Sequence, residues 1–317
     1  MDQTVLAVDL GGTNLRAAAV DSDGAITARD RRPTPKTGDA NSIVQVIASL
    51  ITELRPSTEV EPIAVGVAAP VIMDLTSGRI DRSPNLPQLN GFRFKDELER
   101  VVGGSVFLEN DATAAAIGES WLGASKGFQT SICVTLGTGV GGGIVINGSP
   151  FRGIDGTAGE IGHICVEPEG YPCGCGSRGC LEQYSSATAV VRFARELVKS
   201  GSTLSEKNDF TSKDVYEAAI NSDPAAGESF RRMGYYLGIA LAGLINLLNP
   251  EVIVLAGGLS SGWDAFFPET LRQIEKRAFR VPAGRVKLVR AELGDDAGLL
   301  GVAKVAFTSF EQGITGV

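Results

Sequence analysis

No stretch of this 317-residue sequence approaches the roughly 20 unbroken apolar residues that span a bilayer. Its start, MDQTVLAVDLGG, lacks the basic beginning and the cleavage region of a signal peptide. Positive charge is also in short supply. Lysine and arginine number 29 against 37 aspartates and glutamates, giving a formal net charge of −8 and a pI near 4.9. Such a surface repels nucleic-acid phosphates and anionic lipid at long range, so neither nucleic acid nor membrane is expected as a partner, and small molecules fit better. Cysteine is sparse and uneven: of five, three are crowded into Cys173, Cys175 and Cys180. That spacing is unlike the spread, paired pattern of a disulfide-stapled secreted domain and suggests a metal in a reducing compartment, so a cytoplasmic protein is expected. Low-complexity linkers, basic arms and a GxxxxGK[ST] phosphate loop are all missing.

What is present is apolar sequence in strand and helix patterns. At 43% hydrophobic, the chain can build sizeable cores in one large or two modest domains. VLAVDLGGTNLRAAAVDSDG reads as two β runs about a Gly-Gly turn, and a more polar run over 26–32 completes a β-meander. Helical spacing over 40–54, a buried-strand run in PIAVGVAAP, a second helix and the short strand SVFLEN follow. An alanine-rich helix is expected over 111–123. From Ser131, SICVTLGTGVGGGIVINGSP repeats the opening pattern, so the halves read as structural repeats. A Gly/Cys loop over 170–180 and helices over 187–199, 214–219 and 225–248 come next, and EVIVLAGGLS gives strand, double glycine and helix start. The expected class is α/β: two mixed lobes related by duplication, their glycine turns facing a ligand cleft. Residues 1–115 form the small N-terminal lobe, with a C-terminal helix over 297–317 packing back on it, and 116–296 form the large lobe.

Three glycine turns carry candidate anion chemistry. In the first, Asp9-Leu10-Gly11-Gly12-Thr13-Asn14, two glycines let backbone approach an anion, amides and a hydroxyl can donate to phosphate, and Asp9 at a strand end suits a magnesium ion held through water. A lone Gly-Gly is equally an ordinary hairpin turn. The second turn, with Gly137, Thr138 and Gly139, repeats that chemistry at the matching place, which a chance turn does not explain. The third pair, Gly257 and Gly258, follows the strand VIVLA and lets a base or ribose lie against bare backbone, or is a plain strand-to-helix turn. None opens a βαβ unit with an acidic residue about 20 positions on, so a dinucleotide fold is a poor reading.

Glu109-Asn110-Asp111 closes a strand and opens a helix. Asp111 can there act as a general base on an alcohol, with Asn110 hydrogen bonding a sugar; as a helix N-cap it has an equally ordinary role. Gly159-Glu160-Ile161-Gly162-His163 contains the only histidine in the chain, and with Cys173, Cys175 and Cys180 it makes the Cys3His set of a closed structural zinc site. A thiol-lined loop or a disulfide is the alternative, and Cys165 can replace one ligand. Cys133, inside SICVTL, reads as a small buried hydrophobe. Glu160 and Glu182 flank this set and can be locked as acceptors for sugar hydroxyls. Asn85, after Pro84, is a turn residue or a further sugar contact.

Taken in order, DLGGTNLR, LEND, LGTGVGGG, EIGH and CGCGSRGCLE resemble the ROK family of sugar kinases and sugar-responsive repressors, and the likeness spans nearly the whole chain. It implies an actin-like, hexokinase-type (ribonuclease H-like) duplicated fold in which ATP and a hexose meet between the lobes. By the same resemblance Asp111 is the catalytic base. Asn85, Asn110, Asp111, Glu160, His163 and Glu182 contact the sugar, and His163 also joins the three cysteines on zinc. ATP with Mg2+ falls to Asp9, Gly11, Gly12, Thr13, Asn14, Gly137, Thr138, Gly139, Gly257 and Gly258. The intact set is most like that of the glucokinases, although fructose, mannose and N-acetylhexosamine kinases share much of it, and a homodimer is expected because the family is commonly dimeric. Asn14 stands where many relatives carry lysine, which leaves the phosphoryl donor, ATP or polyphosphate, open. Because the core strand begins at residue 4, no DNA-reading domain is expected, and the repressor reading falls behind the kinase. A catalytically silent sugar-binding protein would have little reason to keep Asp111 with both phosphate turns.

Overall fold

A computed structural model describes residues 3–58, 60–74, 77–83, 85–199, 202–207 and 209–313. In chain order the first elements are β1 (Thr4–Leu10), β2 (Asn14–Asp21), β3 (Ile26–Pro33), α1 (Ala40–Leu54), β4 (Val65–Ala69), β5 (Ile72–Asp74), β6 (Arg79–Arg82), α2 (Phe94–Val102), β7 (Val106–Asn110) and α3 (Asp111–Trp121). There follow β8 (Ser131–Leu136), β9 (Val140–Ile146), β10 (Ser149–Pro150), α4 (Glu182–Ser185), α5 (Ala187–Leu197), α6 (Ser212–Ile220), α7 (Pro224–Leu248), β11 (Val252–Ala256), α8 (Trp263–Arg277), α9 (Arg280–Arg285), β12 (Lys287–Arg290) and α10 (Ala297–Glu311). The chain divides into two compact units, one of residues 1–129, 143–159 and 292–317, the other of 130–142 and 160–291. The boundary expected at 115/116 falls inside α3. Residues 314–317 of the expected C-terminal helix lie outside the described residues.

In the first unit the sheet order is β3-β2-β1-β4-β7, with β1 antiparallel to β2 and parallel to β4, and β4 parallel to β7. β1 is buried along its whole length because both faces of the sheet are covered, which is why TVLAVDL carries no alternation. One face packs on α1, whose apolar stripe includes Ile43, Ile47, Leu50 and Leu54, and whose start is capped by the Asp39 carboxylate accepting from Ser42 N–H at 3.2 Å. The other face packs on α3 and α10 through Val5, Ala7, Phe107, Ile117, Leu300, Ala303 and Phe307. The C-terminal helix thus packs on the N-terminal sheet. Buried Glu119, in the last turn of α3, accepts from the N–H groups of Ala124 (2.8 Å), Leu293 (2.9 Å) and Glu292 (3.2 Å), tying the approach to α10 onto α3. β3 is the edge, alternately half-buried and exposed and lined with Arg29, Asp30, Arg31 and Arg32, charges that discourage pairing with another strand.

The second sheet repeats the plan, in the order β10-β9-β8-β11-β12 with β8 parallel to β11 and β11 parallel to β12. In the second unit α7 spans 25 residues, begins at Pro224 behind the Asp223 cap, and ends at Asn249 in the left-handed region at φ 45°. Phe230, Met233, Leu237, Leu241 and Ile245 bury its inner stripe within its own unit against α5, α6 and α8. That burial accounts for the long apolar pattern without an intersubunit contact.

Candidate active site and metal centre

In the first unit the strand ends converge. Parallel register places Asp9 of β1 beside Ala68 of β4, and Ala68 beside Glu109 of β7, so Asp9 and the Glu109-Asn110-Asp111 segment share one edge about 10 Å apart, two strand spacings. Asp9 is buried and its carboxylate pairs with Arg16 Nη2 at 2.5 Å. Burial is the largest influence on Asp9 and raises its pKa, with Arg16 acting in the opposite sense. Beyond Asp9 the turn closes through Gly11 N–H donating to Asn14 O at 2.9 Å, which leaves the amides of Gly12 and exposed Thr13 at the tip, outside the β ladder. Thr34 Oγ1 donates to Gly11 O at 2.6 Å and Thr34 N to Thr13 O at 2.9 Å, fixing the turn from the far side. Asn85 lies beside this tip, its Cβ 3.5 Å from where a side chain on Gly12 would begin.

At the β7–α3 junction Asn110, not Asp111, is the cap. Its Oδ1 accepts from the N–H groups of Ala112 (3.0 Å) and Thr113 (3.1 Å), so the oxygen expected to face a sugar is committed to the helix, and only the Nδ2 amide, 3.4 Å from Val71 O, is a donor. Asp111 occupies the first helical position, with Oδ1 accepting its neighbour Ala112 N–H at 2.8 Å.

Glu109, quoted in the sequence only as part of its motif, proves to be the buried anchor of this junction. Its carboxylate is 1% exposed, accepts from Arg152 Nε (2.8 Å) and Nη2 (2.7 Å) through Oε2, and takes the Asn110 N–H at 3.0 Å through Oε1. Burial raises the pKa of Glu109, and Arg152 opposes the rise. No local signal could have shown the pair, since 43 residues separate its members.

The second unit assembles the rest. Its turn is closed by Gly137 N–H donating to Gly139 O at 3.0 Å and is anchored by Ala187 N–H to Gly137 O (2.8 Å) and Thr188 Oγ1 to Thr138 O (2.9 Å), again with an exposed threonine, Thr138, at the tip. Glu182 Oε2 accepts Val140 N–H at 3.2 Å, and a side chain on Gly139 would begin 2.3 Å from that same oxygen. Only glycine lets this carboxylate lie against the turn. Gly257, at φ 84°, sits where a side chain would begin 2.4 Å from Leu136 O, so the third glycine pair abuts the second turn. A cavity of about 400 Å³ beside it is lined by Thr138 and by Thr188, Val191, Arg192, Arg195 and Ser212, and apart from Thr138 the sequence motifs single out none of these.

His163, Cys173, Cys175 and Cys180 come together with all four ligand atoms within 4.8 Å of one another. Cys173 Sγ is 3.6 Å from His163 Nδ1, and Cys175 Sγ is 3.6 Å from Cys180 Sγ. Zinc with bonds of about 2.3 Å to sulfur and 2.0 Å to nitrogen gives tetrahedral edges of about 3.5–3.8 Å, so the donor set and spacing fit that ion. Cys165 stays outside the cluster, bridged to Cys180 through backbone only. The Cys180 thiol is pushed up to about 12, first by burial and then by hydrogen bonds with Cys175 and Cys173. His163 turns its other nitrogen toward Glu160, with Nε2 3.9 Å from Oε2. Glu160 has a raised pKa from burial, with His163 lowering it and Glu182 raising it further, so the two carboxylates sense each other beside the imidazole.

Residues 5–308 match the model of the ROK family. The chain is 38% identical over 325 residues to the glucokinase of Halalkalibacterium halodurans, covering 98% of both proteins. Among solved structures it superposes on the ROK family glucokinase from Streptomyces griseus in complex with glucose and AMPPNP, with TM-score 0.81, 35% identity, and 96% and 99% of the two chains covered. It also superposes on the ROK hexokinase from Thermus thermophilus, with TM-score 0.84, 32% identity, and 98% and 100% covered.

Proposed function

Because this chain belongs to the ROK family, we propose that it transfers the γ-phosphoryl group of ATP to the 6-hydroxyl of a hexose, with glucose as the sugar and Asp111 as the base. It is an ATP-dependent glucose kinase of the actin-like, hexokinase-type fold. The observation that carries the reading is the placing of Asp111 at the carboxyl end of β7, on the sheet edge that also presents Asp9 and the first glycine turn, in a chain so close to glucokinases.

Asp111 accepts the O6 proton as the O6–P bond forms and the bond from γ-phosphorus to the ADP oxygen breaks, a role worth roughly 10²–10⁴ in rate. Asn110 Nδ2, Asn85, Glu160, Glu182 and His163 Nε2 hold the sugar hydroxyls. Glu182, one oxygen already on Val140 N–H, presents the other at a fixed place. The amides and hydroxyls at the Thr13 and Thr138 tips bind phosphate, and adenosine lies by Gly257 and Gly258. Asp9 would hold Mg2+ through water on the oxygen not facing Arg16, and the ion would supply charge neutralisation on the phosphates. Zinc on His163, Cys173, Cys175 and Cys180 would be structural, since all four positions are filled by protein, and would hold His163 and its flanking carboxylates rigid. A reducing cytoplasm suits these thiols. The homodimer reading rests on the apolar residues Leu247, Phe279 and Val281, exposed near the end of α7 and the start of α9, and sedimentation of the purified protein tests it.

A coupled ADP-release assay with ATP across glucose, fructose, mannose and the N-acetylhexosamines, together with measurement of hexose phosphate formed from ATP or polyphosphate, tests the function. Turnover strongest with glucose and ATP is expected; silence with every sugar while sugar still binds calorimetrically overturns the kinase reading.

A further inference from the structure

The first unit contains a cavity of about 780 Å³ that none of the proposed chemistry uses. That volume lies in the range of small-molecule sites. It opens behind the catalytic strand, walled by Phe107 of β7, Ile117 and Trp121 of α3 and Val305 of α10. Its charge is distinctive for an acidic protein: Lys95, Arg152 and Lys304 line it, and no lining residue is acidic. Lys95 pairs with Glu99 at 3.3 Å and Arg152 with Glu109. Lys304 has no carboxylate partner among the described residues; its ammonium lies 5.4 Å from the centre of the Trp121 ring. An ammonium beside an aromatic ring, in a cavity lined by both apolar and cationic side chains, calls for a ligand with an anionic end and a flat or aliphatic body.

We propose that this cavity binds an amphipathic organic anion, its charged end on Lys304 and Arg152 and its apolar body on Trp121, Phe107 and Ile117. Occupancy has a path to the chemistry. Arg152 is a third exposed and holds buried Glu109, which in turn holds the Asn110 N–H beside Asp111. An anion that draws on Arg152 loosens that chain of contacts, so binding lowers kcat more than it changes the KM for sugar. This consequence rests on the kinase reading; the binding site does not.

Calorimetric titration of the full chain with naphthalene-1-sulfonate, an aromatic anion of suitable size, tests the site directly. Saturable binding of one molecule per chain is expected, weakened at least about tenfold by Lys304→Glu, which reverses the free charge, and similarly weak for neutral naphthalene-1-sulfonamide. Lys304→Glu should keep basal turnover, with kcat no longer falling as the sulfonate is added. Failure to saturate, equal affinity in Lys304→Glu, or equal affinity for the sulfonamide overturns the proposal. The heats are read without turnover, so a protein that binds the sulfonate but phosphorylates no sugar overturns the kinase reading alone.

Discussion

Arg152→Gln is the perturbation whose consequence the structure specifies most closely. The substitution leaves Glu109, 1% exposed, without the guanidinium that meets Oε2 at 2.7 and 2.8 Å. Breaking one side of a buried pair typically costs 3–5 kcal/mol because a charge is left uncompensated. Arg152 is 34% exposed, so water can follow it out and the lower end applies, about 3 kcal/mol and a fall in Tm of roughly 6–12 °C. The loss should depend on pH in a definite sense. Burial already raises the Glu109 pKa against the opposing pull of Arg152, and without Arg152 it rises further. A carboxyl whose folded pKa lies above its unfolded value binds its proton more readily when folded, so its stability contribution is present at low pH and lost as pH rises through the folded pKa. The deficit of Arg152→Gln should therefore be smaller at pH 5 than at pH 8. Thermal melts at both pH values for wild type, Arg152→Gln, Glu109→Gln and the double variant measure this, and the double variant should recover most of the loss. A deficit under about 1 kcal/mol, the size of a surface pair, or one equal at both pH values, refutes the reasoning.

Four further outcomes are expected. Asp111→Asn should cut kcat by roughly 10²–10⁴ while calorimetric glucose affinity stays within a few-fold, since the base acts on the proton in flight; near-normal turnover removes Asp111 from the mechanism. Cys175→Ser should lose zinc measured by elemental analysis and lower stability and sugar affinity together, because metal binding and local folding are coupled; unchanged metal content and stability would refute the centre. Gly139→Ala puts a methyl 2.3 Å from Glu182 Oε2, so it should raise the KM for hexose through displacement of that carboxylate, and an unchanged KM means Glu182 does not hold sugar. Gly257→Ala, at φ 84° and 2.4 Å from Leu136 O, should destabilise the second unit by about 1–3 kcal/mol in urea titrations, and a neutral effect would contradict the strained turn.

The local signals in the chain were strong where chemistry depends on neighbours in sequence. The repeat of strand, glycine turn and strand at residues 4–21 and 131–146 was legible because the alternation and turn chemistry of a hairpin are short-range, and the two sheets share one strand order. The Cys173, Cys175 and Cys180 loop was legible for the same reason, being a compact donor set with one histidine in reach. What the sequence by itself determined was therefore the set of elements, the family and the reactive residue types. Only the tertiary structure decided how they are held. It gave the helix cap to Asn110, leaving Asp111 at the first helical position, because the backbone bends one residue earlier than the motif suggests. It joined Glu109 to Arg152 and Glu182 to the Val140 amide across 43 and 42 residues, and it opened a cationic cavity between helices that adjoin only once the chain is folded. Such contacts leave no periodic trace, since a buried carboxylate finds its partner through the packing of layers and not through spacing along the chain.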